Sequence, residues 1–60
     1  MKPKDIIRTL KKEGWEQVSS RGSHIKFRKG NQITIVAYHN KDLKIKTLKT
    51  IEKQTGIKFT

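Results

Sequence analysis

The sequence predicts an α+β domain of two layers, in the order helix, three antiparallel strands, helix, with both helices on one face of the sheet. Three observations predict it. Apolar residues recur at helical spacing near both ends of the chain, after Pro3 and again from Thr47. Between Trp15 and Tyr38 the pattern changes to a period of two. Two glycine-containing turns, Arg21-Gly22 and Lys29-Gly30-Asn31, cut that stretch into pieces of strand length. A chain of 60 residues has room for one small core, so residues 1–60 are expected to form a single domain.

Pro3 suits the first turn of a helix, where its missing N–H would be unpaired anyway, and Ile6, Ile7 and Leu10 fall on one stripe behind it. Gly14 is expected to close this helix as a left-handed cap. Trp15, Gln17 and Ser19 then alternate with Glu16, Val18 and Ser20, the pattern of a first short strand. After the turn, Ser23, Ile25 and Phe27 alternate with His24, Lys26 and Arg28, so the two sets face opposite sides of the sheet. Gln32 to Tyr38, rich in β-branched residues, reads as a third strand with Ile33, Ile35 and Ala37 on one side. His39 to Lys44 is polar apart from Leu43 and reads as a connection. Thr47 to Gln54 places Leu48 and Ile51 three apart on a second helix, Gly56 stops it, and Ile57 and Phe59 are expected to fold back onto the core.

Fifteen Lys and Arg against five Asp and Glu give a net charge of +10, with an isoelectric point near 10.3. Such self-repulsion points to a polyanionic partner, with nucleic acid ahead of an acidic protein or a membrane surface. A lysine-rich surface that only confers solubility is the plainer reading. The absence of cysteine excludes a disulfide framework and a thiolate zinc site, and fits a reducing compartment, the cytoplasm. The longest apolar run, Ile35 to Tyr38, is far too short to span a bilayer, so no membrane segment is expected.

The carboxylates, Asp5, Glu13, Glu16, Asp42 and Glu52, are scattered over helices, strand start and loop, which argues against a metal-dependent nuclease. His24 and His39 lack a third ligand at metal-binding spacing, so neither a metal nor another cofactor is expected. A Ser-His-Asp arrangement would need Ser23 and His24, adjacent residues on opposite sheet faces. Gly22 and Gly30 do not form a phosphate-cradling loop. What remains is one imidazole, His24, with Lys26 and Arg28 two and four residues along the same strand face. A histidine can take a proton from a hydroxyl at neutral pH, and the cations can hold phosphate oxygens beside it. RNA carries its own nucleophile, the 2′-hydroxyl, so this kit suffices to cut it. The same residues are equally compatible with a noncatalytic RNA-binding module on the basic sheet, or with a basic adaptor for an acidic protein. Trp15 and Tyr38 fit the core or its rim as well as base stacking. His39 is a candidate acid partner for His24 or a solvated turn residue. Lys11-Lys12 and the series Lys44, Lys46, Lys49 and Lys53 either track phosphates or form plain polar helix faces.

Gly14-Trp15 after a basic first helix, then Gly22-Ser23-His24 with Phe27 three on, Tyr38-His39, Asp42-Leu43, Thr47-Leu48, Ile51 and Gly56 together resemble the HicA family of bacterial and archaeal toxins. The resemblance runs from about Lys4 to Ile57. It implies a double-stranded-RNA-binding-domain-like fold and an mRNA interferase, an endoribonuclease in which the histidine of the Gly-Ser-His motif, here His24, is catalytic. It also implies a HicB-like acidic antitoxin that masks the active site. Lys26, Arg28, Ser23 and Arg21 are the residues expected to contact RNA, and the free toxin is expected to be a monomer. Two positions depart from the family pattern: a proline is frequent near Ala37, and a glycine where Lys46 precedes Thr47.

Overall fold

The computed structural model describes residues 1–39 and 41–59 and has the expected order: α1 (Pro3–Lys12), β1 (Glu16–Arg21), β2 (His24–Lys29), β3 (Gln32–Ala37) and α2 (Ile45–Thr55). At the start of α1 the Lys2 backbone N–H donates to the Asp5 carboxylate at 3.3 Å, half of a capping box, and Pro3 is buried. Its end is the reciprocal pair of bonds that defines a Schellman cap. The Trp15 N–H donates to the Leu10 carbonyl at 2.9 Å and the Gly14 N–H to the Lys11 carbonyl at 3.1 Å. Gly14 has a φ of 93°, a conformation that costs any residue with a Cβ roughly 1–2 kcal/mol. The cap turns the chain so that Trp15 packs inward with Leu10, and both are buried.

The three strands form an antiparallel meander in the order β1-β2-β3. Ile6 and Leu10 of α1, Phe27 and Val36 of the sheet, and Leu48 and Ile51 of α2 meet in the core, which Trp15 and Leu43 close. Ile57 and Phe59 pack against it from the chain end, as their spacing suggested. Leu43 is held in place by its N–H, which donates to the Met1 carbonyl at 3.0 Å.

Several element boundaries differ from the sequence expectation, which left open which side of β3 faces the core. β3 ends at Ala37, and Tyr38 adds one further bond, its N–H donating to the Ser23 carbonyl at 2.7 Å. α2 begins at Ile45 instead of Thr47, because its first turn leaves Ile45 exposed and so carries no apolar periodicity to read. The side of β3 formed by Ile33, Ile35 and Ala37 looks away from the helices: Ile33 and Ile35 are 47% and 48% exposed, while Thr34 and Val36 are 1% and 0%. Register decides this. Val36 lies opposite Ile25 and Thr34 opposite Phe27, so they share the core face of β2. The buried Thr34 hydroxyl is satisfied by donating to Gln54 Oε1 on α2 at 2.9 Å.

Replacing neighbours on β3 tests this assignment. Val36→Ser should cost about 2–4 kcal/mol by leaving a cavity and an unpaired hydroxyl, lowering Tm by roughly 10 °C or more. Ile35→Ser should cost less than about 1 kcal/mol. Equal losses in thermal melting, or the larger loss at Ile35, would mean that the other face is buried.

Candidate functional site

The turn between β1 and β2 consists of two residues, Gly22 and Ser23, since Arg21 pairs with His24. Gly22 has a φ of 58°, and a Cβ there would meet nothing within 4 Å. Glycine is therefore required by backbone conformation, not by space: the first position of such a tight hairpin takes positive φ. This places His24 as the first residue of the central strand, exposed, between Arg21 on β1 and Ala37 on β3. Along the same face, Lys26 lies between Ser19 and Ile35, and Arg28 between Glu16 and Ile33. Residues paired across antiparallel strands point to the same side, so His24, Lys26 and Arg28 all stand on the face that no helix covers.

An irregularity in β1 brings Arg21 to that face. The register shifts between Gln17, which pairs with Phe27, and Ser19, which pairs with Lys26, leaving Val18 as the extra residue of a β-bulge. Strict alternation from Gln17 would put Ser19 and Arg21 on the core side. The extra residue inverts the phase, and both join His24 and Lys26 on the open face. Ser19, Ser20, Arg21, His24, Lys26 and Ile35 line one open concavity of about 650 Å³. A guanidinium, an ammonium and an imidazole thus surround a recess of nucleotide-scale volume. The arrangement can hold an anion beside a group able to take up or release a proton.

The other residues singled out from the sequence lie elsewhere. Ser23 is exposed in the turn and does not line the concavity; its carbonyl accepts the bond from Tyr38. Arg28 faces a smaller depression with Glu16, Lys29 and two glycines, about 240 Å³ in volume. His39 lines a separate cavity of about 140 Å³ with Lys2, Lys4 and Tyr38, and its Nδ1 accepts a bond from the Lys41 N–H at 3.2 Å. The structure therefore does not bring His39 into the recess of His24. Trp15 is buried in the core, whereas Tyr38 is 49% exposed. Lys11 and Lys12 end α1, and Lys46, Lys49 and Lys53 are exposed on α2, in the helical layer. Among the described residues no group of three or more His, Asp or Glu is placed to hold a metal ion. Nor is any helix among the described residues long and apolar enough to cross a membrane.

A family model described as the HicA toxin of bacterial toxin–antitoxin systems matches residues 3–57. The match takes in α1, the whole sheet, α2 and the Gly22-Ser23-His24 turn. The chain belongs to the HicA toxin family. It is accordingly a toxin of a toxin–antitoxin system, and an antitoxin partner is implied by that membership. No curated protein and no solved structure was found to match the chain. Within this HicA fold, sequence reasoning missed Ser19, Ser20 and Ile35 as walls of the recess; β1 is exposed throughout and Val18 is its one apolar residue, so the bulge leaves no mark in the pattern.

Proposed function

We propose that this HicA toxin is a metal-independent endoribonuclease acting on mRNA in the cytoplasm as a single-domain monomer, with His24 as its catalytic base. The observation that carries the reading is the position of His24 at the head of β2, exposed in a recess it shares with Arg21 and Lys26. In this reading, a phosphodiester enters the recess with its oxygens against Arg21 and Lys26, while Ser19 offers a hydroxyl and Arg28 and Ser23 hold the flanking backbone. The His24 imidazole removes the proton of the 2′-hydroxyl. The 2′-oxygen attacks phosphorus, the bond to the 5′-oxygen breaks, and the departing oxygen is protonated from solvent. The products are a 2′,3′-cyclic phosphate and a 5′-hydroxyl end. Arg21 and Lys26 meet the charge that builds on the phosphorane, the kind of interaction that contributes most when it strengthens in the transition state. An acidic antitoxin covering the recess would exclude RNA by occupying the same cations.

Cleavage should persist in EDTA, generate cyclic phosphate ends, and fail on a substrate carrying 2′-deoxyribose at the cut. Activity lost in chelator and restored by magnesium, or cutting of the deoxy substrate, would contradict the mechanism. Lys26→Ala and Arg28→Ala should each weaken RNA binding and make the slope of log K against log salt shallower by roughly one unit. Unchanged affinity and slope in both variants would mean that RNA lies on another surface.

A further inference from the structure

β3 is an edge strand, paired with β2 on one side only. Its six residues, Gln32 to Ala37, contain no charge and no proline, in a chain where 15 of 60 residues are Lys or Arg. Natural edges are normally blunted by lysine, proline or a bulge. The opposite edge, β1, follows that rule with Glu16, Arg21 and the bulge at Val18.

The hydrogen-bonding phase of the free edge follows from the register. Lys29 and Gln32 close a two-residue hairpin, so they form a bonded pair, and bonded pairs recur at every second residue. The bond from Tyr38 N–H to the Ser23 carbonyl confirms the phase. Gln32, Thr34, Val36 and Tyr38 therefore bond inward to β2. Ile33, Ile35 and Ala37 direct their N–H and carbonyl groups outward. Beside this edge a groove of about 290 Å³ separates β3 from α2, and its α2 wall is made by Thr47, Thr50, Ile51 and Gln54. Among the described residues no charged side chain lines the groove.

We infer that the free edge of β3 accepts an extended segment of the acidic antitoxin as a fourth strand. Strand addition uses the outward backbone groups of Ile33, Ile35 and Ala37 for affinity, and the net charge of +10 favours an acidic segment. A second copy of this chain is disfavoured as occupant, because two chains of +10 repel each other. The inference rests on the toxin–antitoxin pairing of the family and not on catalysis by His24. A strand docked here lies beside Ile35, at the border of the His24 recess.

The test is amide hydrogen exchange on the toxin alone and in its purified complex with the antitoxin of its own toxin–antitoxin pair. In the free protein the amides of Ile33, Ile35 and Ala37 should exchange at least tenfold faster than those of Thr34 and Val36. In the complex those three should slow by at least tenfold. In parallel, Thr47→Glu/Thr50→Glu, which places like charge against an acidic segment, should weaken antitoxin binding at least tenfold while the melting temperature and RNA binding stay near those of the parent. A stable complex in which the three amides remain fast would overturn the edge site while leaving the pairing intact. Failure to form any complex would overturn the pairing itself. Protection that appears with protein concentration or with RNA, and not with antitoxin, would assign the edge to a second copy or to nucleic acid and overturn the inference.

Discussion

Burial of Phe27 sets the orientation of the central strand. With its ring at 0% exposure among Ile6, Leu10 and Ile51 in the core, β2 has one allowed phase, and His24, Lys26 and Arg28 must then face outward. A slip of one residue would carry three cationic or titratable side chains into an apolar layer and expose the ring. The cost of burying such groups unpaired is several kcal/mol each, a large part of the stability of a small domain. The outward basic face is therefore a consequence of core packing. His24 and Arg28 are exposed there and Lys26 is half-buried.

The helical layer answers a different constraint, the self-repulsion of a +10 chain with little apolar surface to offset it. Local placement sets some of its cations near carbonyl groups. Lys11 and Lys12 lie in the last turn of α1 and Lys53 in the last turn of α2, where the helix dipole favours positive charge. Lys29 Nζ donates to the Glu13 carbonyl at 2.7 Å, tying the far end of β2 to the exit of α1. On the open face Arg28 lies opposite Glu16, whereas Lys26 faces Ser19 and Ile35, and His24 faces Arg21 and Ala37. Charge is thus accommodated in the helical layer and concentrated around the recess.

Residues whose side chains obey a single period were legible. Ile6 and Leu10 marked α1, Gly14 marked its end, and the alternation from Ser23 to Arg28 gave the face of His24 correctly. Three features were not legible, each because its signal is carried by geometry. The bulge at Val18 inverts the phase of β1 without changing its composition, so the convergence of Ser19 and Arg21 on His24 could not be seen. Ile33 and Ile35 imitate a buried stripe, yet the hairpin register hands the core face to Thr34 and Val36. The first turn of α2 exposes Ile45 and so escapes a search for buried periodicity. Family resemblance supplied the weight on His24 that alternation alone could not, since any exposed strand histidine satisfies the same pattern.

The direct test of the central claim, that the sheet presents His24 outward as a catalytic group, is to compare His24→Ala with the parent on the same preparations by melting, RNA binding and RNA cleavage. Because His24 is exposed and away from the core, stability should change by no more than about 0.5 kcal/mol. RNA binding should largely persist, since the lysines and arginines remain. Cleavage should fall by about 10²–10⁴-fold, the usual contribution of a positioned base. Cleavage within a few-fold of the parent would show that His24 is not the catalyst, and a variant that fails to fold would show that the face assignment is wrong.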